Sequence, residues 1–113
     1  MSHAHPPQPL RGLRVVEFTH MVMGPTCGMV LADMGAEVIK VEPIDGDRTR
    51  RLLGAGTGFF PMFNRNKKSI AVDLHTAQGA EVARRPATSQ RPAASSSTAF
   101  CTVCGYWPPR SPT

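Results

Sequence analysis

The 113 residues include 13 Lys and Arg against 8 Asp and Glu, for a formal net charge of +5, and they leave room for one small domain and no second. Asp33, Glu37 and Lys40 interrupt the most hydrophobic region, so no apolar run is long enough to cross a bilayer, and three cysteines, Cys27, Cys101 and Cys104, make no disulfide framework. All the acids lie before Pro86 together with eleven of the basic residues, a balance that suits an anionic ligand without demanding one.

The first nine residues hold Pro6, Pro7 and Pro9 and no basic stretch followed by an apolar core, which reads as a flexible leader and not a secretory signal; the expected compartment is the cytoplasm. Leu13 to Phe18, with β-branched Val15 and Val16 between Gly12 and the Gly24-Pro25 pair, has the composition of a buried strand. From Thr26 the apolar residues recur at helical spacing, with Pro25 suited to the first turn and Gly35 to the C-terminal cap. Val38, Ile39 and Val41 begin a second strand, in which Lys40 takes an exposed position or reaches past the edge. Strand, helix and strand in about thirty residues form a βαβ unit with a parallel, right-handed crossover.

Asp45-Gly46-Asp47 marks a turn, and Arg48 to Gly58, with glycines at 54, 56 and 58 beside a basic cluster, reads as a mobile loop. Ser69 to Leu74 is the third strand, and Thr76 caps a helix running to Arg85 in which Gly79 is a weak point. Beyond Arg85 the composition turns to Pro, Ser, Thr and Ala without acids or periodicity, so 86–113 is expected to be disordered. The expected fold is therefore α/β, a partial Rossmann-like parallel sheet of a βαβ unit plus a third strand and helix over 10–85, with a leader (1–9) and a disordered tail.

The segment Phe59 to Leu74 joins an aromatic run, the turn Asn64-Arg65-Asn66-Lys67-Lys68-Ser69 and a β-branched strand in fixed order. Together with Leu13 to Phe18, Gly24-Pro25, Gly35-Ala36 and Val38-Ile39-Lys40-Val41-Glu42, it resembles family III CoA-transferases of the CaiB/BaiF type, from about Pro9 to Arg85. The resemblance implies coenzyme A or an acyl-CoA as substrate and no covalently bound cofactor. It also implies a small carboxylic acid as second substrate and an interlocked homodimer. Family members are several times longer and carry their catalytic aspartate far beyond the first hundred residues. The chain accordingly reads as an N-terminal fragment with no catalytic residue of its own, inactive alone, whose family pattern is lost within the helix that begins at Thr76 and stops after Arg85, as a shifted reading frame or an aberrant terminus would produce.

The resemblance carries a coenzyme A role onto the backbone of Val22 and Met23, in the loop after the first strand, and onto Val72, Asp73, Leu74 and His75. Side chains at 22 and 23 differ from the polar ones some members use, Pro43 stands where members place an arginine, and a histidine at 75, largely neutral as a residue type at physiological pH, holds a phosphate less strongly than lysine. Without the resemblance, the first loop is an ordinary strand-to-helix connection and His75 merely precedes a cap. Arg65, Lys67 and Lys68 either attract the diphosphate of coenzyme A or belong to a turn that fixes the chain before the third strand.

Neither a Gly-x-Gly-x-x-Gly nor a P-loop pattern occurs, which leaves nicotinamide and P-loop nucleotides without support. Cys101 and Cys104 have the spacing of half a zinc site, but no second pair follows, so no metal site is expected. Two other readings stay open. One is a fragment of an α-methylacyl-CoA racemase, a group that shares the opening strand and helix but tends to lack the Phe63 to Ile70 turn. The other is a small basic protein that binds an anionic partner through Arg48, Arg50, Arg51, Lys67 and Lys68, although nucleic acid is disfavoured by the few aromatics among the basic residues.

Overall fold

The computed structural model describes residues 6–88 and 98–101. In chain order these form β1 (Arg14–Glu17), α1 (Met23–Asp33), β2 (Glu37–Glu42), two 3-10 turns (Arg48–Arg51 and Gly54–Gly56), α2 (Phe59–Phe63), β3 (Lys68–Ala71), α3 (Ala77–Thr88) and β4 (Thr98–Cys101). All strand pairs are parallel, in the order β3-β2-β1-β4. The α/β parallel sheet expected from the sequence is thus present, with one more strand than expected.

Strand geometry sends successive side chains to opposite faces, and β1 and β2 are apolar on both. Val15 and Val38 face one side, where they pack with Ala32 of α1, Ala36 and the half-buried Leu10, Leu13 and Leu31. Val16 and Val41 face the other, where they meet Val72 and Ala83 of α3 with Phe18, Ile70 and Leu74. Two helices on opposite faces of a parallel sheet explain why the strands read as continuous apolar runs.

Three sequence expectations are refined. The stretch Arg48 to Gly58 holds two 3-10 turns ahead of α2, with Thr49 only 1 % exposed, because Asp47 caps the first turn by accepting the Thr49 N–H. The boundary at Pro86 falls inside α3, which continues to Thr88. Thr98–Cys101 pairs with β1 from Arg14 to Glu17. The rest of the expected disordered tail, and most of the leader, lie outside the described residues.

Candidate functional site

The carboxyl ends of parallel strands are where open α/β sheets receive ligands, and here that edge rests on a buried layer of charge. Glu17 at the end of β1 is the register partner of Lys40 on β2, on the same face as Val15 and Val38. That face is therefore apolar at its amino end and ionic at its carboxyl end. Lys40 is 1 % exposed and Glu17 fully buried, which corrects the expectation of an exposed or edge-reaching lysine. The Lys40 ammonium lies 3.1 Å from Asp47 Oδ2 and 3.9 Å from Glu17 Oε1, and donates to the Thr19 carbonyl at 2.6 Å. Burying a charge is costly unless it is paired and hydrogen-bonded, and this lysine is both.

A second lysine completes the layer. Lys67 donates to Glu17 Oε1 at 2.7 Å, to the Pro25 carbonyl of α1 at 2.8 Å and to Asn64 Oδ1 at 3.0 Å. Burial pulls its ammonium below the usual lysine value, against the opposing pull of Glu17. Glu42, at the end of β2, accepts both Arg50 Nε (2.8 Å) and Nη2 (2.7 Å), the Asp47 amide (2.9 Å) and the Ser69 hydroxyl. Burial pushes the Glu42 carboxyl up, but these donors outweigh it and bring it from 4.5 to about 2. Arg50 also lies over the Phe60 ring, 3.8 Å from its centre.

The cationic cluster seen in the sequence is therefore divided among separate carboxylates. Arg65 pairs with Asp33, Lys67 with Glu17 and Lys68 with Glu37. Of the two readings of the turn 64–69, the fixing one matches these contacts. Asn64 Nδ2 donates to Phe60 O, Asn66 holds a left-handed φ of +64° and donates to the Ala32 carbonyl, and Ser69 reaches Glu42. The turn clasps α1 and β2.

Above this layer stand the residues singled out for ligand contact. Val22 is the N-cap of α1 and Met23 its first residue; no side chain caps the helix, and Met23 is 81 % exposed. The Val72 amide donates to the Glu42 carbonyl, extending the β2–β3 ladder. The Val72 and Leu74 side chains pack in the core, which leaves mainly their backbone for a ligand. Asp73 Oδ1 accepts the His75 amide at 3.0 Å, and Thr76 bonds the Asp73 carbonyl while accepting the Gly79 amide at 2.9 Å. His75 is exposed. Residues 22–23 and 72–75 thus follow the carboxyl ends of β1 and β3 respectively. No three His, Cys, Asp or Glu side chains converge as a metal site among the described residues; His3, His5 and Cys104 lie outside them.

Sequence reasoning missed Asp47, Thr49 and Lys40 as parts of this edge. The only signal was a polar triplet after a strand, and its meaning depends on residues 19 to 21, far away in the chain.

The model of CoA-transferase family III matches residues 10–87. The succinyl-CoA–D-citramalate CoA-transferase of Chloroflexus aurantiacus is 47% identical over 91 residues, covering 75% of this chain and 22% of that protein. The formyl-CoA:oxalate CoA-transferase of Afipia carboxidovorans is 47% identical over 78 residues, covering 65% of this chain and 18% of that one. Among solved structures, a CAIB/BAIF family protein from Brucella suis superposes with a TM-score of 0.63 at 40% identity, covering 72% of this chain and 24% of its own. The Rv3272 protein of Mycobacterium tuberculosis gives 0.64 at 48%, covering 72% and 23%. The chain therefore spans about a fifth of the length of the curated relatives it matches.

Proposed function

The chain belongs to CoA-transferase family III, and from that premise we propose that it carries part of the coenzyme A site of an acyl-CoA:carboxylate CoA-transferase. The contacts are the backbone of Val22 and Met23 and the segment Val72, Asp73, Leu74 and His75. The observation that supports this most is that both segments continue the carboxyl ends of parallel strands. The first also opens an 11-residue helix that lacks a side-chain cap. Amides of such a first turn, at the positive end of the helix dipole, suit the phosphates of coenzyme A. His75, exposed on the second segment, offers a ring nitrogen to the same ligand.

The same proposal makes the chain inactive alone. The family reaction runs through an aspartate that takes the acyl group and then carries coenzyme A as a thioester, which requires an accessible carboxylate. Glu17 and Asp47 are closed off from solvent and Glu42 is buried in its pair with Arg50, while Asp33, Glu37 and Glu81 sit in ion pairs at the surface and Asp45 is exposed in the turn after β2. The proposed inactivity rests on the family aspartate having no counterpart among these acids. Asp73 anchors the turn before α3. The acyl-CoA and carboxylic acid substrates, and a homodimer, belong to the same proposal for the longer family architecture. The competing basic-partner reading loses ground here, because Arg50, Lys67 and Lys68 already neutralise carboxylates.

Calorimetric titration with coenzyme A tests the site. With few contacts available, binding is expected near ~1 mM, about −4 kcal/mol, and is lost in Val22→Asp and weakened in His75→Ala. Tight binding that neither change disturbs would refute the assignment, and salt-sensitive binding of nucleic acid in its place would favour the basic-partner reading.

A further inference from the structure

We propose that Thr49, backed by Asp47 and Lys40, is a positioning residue that sets the backbone of residues 19–23 for ligand contact, an inference that rests on the coenzyme A reading above. Met21 stands at φ +66°, a left-handed conformation that non-glycine residues adopt at a steric cost and hold only when their surroundings impose it. The imposing contact is specific: the Met21 amide donates to Thr49 Oγ1 at 2.9 Å, across 28 residues of sequence.

The hydroxyl is fixed in turn. Thr49 Oγ1 donates to Asp47 Oδ1 at 2.7 Å, and the same oxygen accepts the Thr49 amide at 2.9 Å. With its one proton committed to Asp47, the hydroxyl presents a lone pair to Met21. The other oxygen of Asp47 lies 3.1 Å from Lys40 Nζ, and Lys40 donates to the Thr19 carbonyl. The loop is consequently held at Thr19 and at Met21 by one buried relay, in which Lys40, Asp47 and Thr49 are 1 %, 3 % and 1 % exposed. Val22 and Met23 follow directly, so their amide directions inherit the backbone conformation of Met21. Thr49 acts through Met21 and is assigned no contact with the ligand.

Thr49→Val preserves the shape and removes the acceptor, whereas Thr49→Ser retains it. Nuclear magnetic resonance of the chain reads two quantities, the exchange rate of the Met21 amide and the shifts of residues 22–23 during titration to millimolar coenzyme A. Loss of the hydrogen bond is expected to speed Met21 exchange and weaken coenzyme A about tenfold each, and Thr49→Ser is expected to restore both. Val38→Ala, which loosens the opposite end of the sheet, is expected to lower the melting temperature and move neither. Should Thr49→Val fail to fold, Met21→Pro removes the same amide from an exposed position and excludes positive φ, and it is expected to weaken coenzyme A equally. A released Met21 amide with unchanged coenzyme A binding would overturn the positioning role, as would a Met21 amide that stays protected in Thr49→Val, or a Met21→Pro variant that binds like the parent. A parent chain with no response to millimolar coenzyme A would overturn the coenzyme A reading itself, and the positioning role with it.

Discussion

A glycine inside a helix ordinarily costs stability relative to alanine, and Gly28 lies within α1. In the structure it is a requirement. A Cβ at this position would lie 1.9 Å from Glu17 Oε2, and Glu17 cannot withdraw without leaving Lys67. Gly28→Ala is expected to lower stability by about 1–3 kcal/mol, as overpacking does, read as a fall in melting temperature; a rise, as helix propensity alone would give, contradicts the packing described. Glu42 makes a pH-dependent contribution. Its folded value of about 2 lies below the ordinary 4.5, so the stability it supplies is complete above about pH 4.5 and is lost as pH falls toward 2. Glu37, lowered by Lys68 and then Arg14, adds in the same direction. Urea titrations between pH 5 and 2 are expected to show a shallower loss in Glu42→Gln than in the parent chain, and parallel profiles would show that Glu42 has no part in the acid sensitivity.

At the scale of elements, the strands and helices were legible because their causes are local. Val15, Val16, Val38 and Val41 announce two-faced burial, and Thr76 is the cap of α3 as expected. The charged layer was not legible, since Lys40 reads as a surface lysine until Asp47 and Glu17 are brought to it, and Lys67 until Glu17 is. Likewise β4 was hidden: Thr98–Cys101 follows a stretch of Ser, Thr and Ala, and only the open side of β1 gives it a partner. Gly79 shows how a propensity argument can point the wrong way. It was expected to weaken α3, yet a Cβ there would meet the Asp73 carbonyl oxygen at 1.9 Å, so the glycine lets the helix close on the Val72 to His75 turn. Gly79→Ala is expected to lose stability by about 1–3 kcal/mol where a permissive helix site would gain up to ~1 kcal/mol. Thermal melts of the single variant distinguish the two.

For the whole molecule, the sheet divides its work between its two ends. The amino end supplies apolar packing through Leu10, Leu13, Val15, Val38 and α1. On the α1 face the carboxyl end exchanges that packing for paired charge, while the other face stays apolar through Val41, Val72 and α3. The charged layer adds little net stability for its size but fixes geometry, since each buried ion tolerates few positions. Loops set on such a base suit ligand contact better than loops on an apolar one, because their backbone groups are held by directional bonds such as Lys40 to Thr19 and Thr49 to Met21. Among the described residues, one face of α1 is exposed, with Met23, Cys27, Val30 and Met34 at helical spacing. How much of the candidate site could be read in advance follows from the same division. Residues 22–23 and 72–75 are proposed on the family resemblance, whereas the support beneath them emerges only from contacts between distant segments.

Hydrogen–deuterium exchange of the chain with and without millimolar coenzyme A tests most directly whether this edge is a ligand site. The expected result is slowed exchange confined to residues 19–23 and 72–76, with the amino-terminal end of the sheet unchanged. Protection elsewhere, at the exposed face of α1 or around Ile44 and Leu53, with none at those two segments, would contradict it.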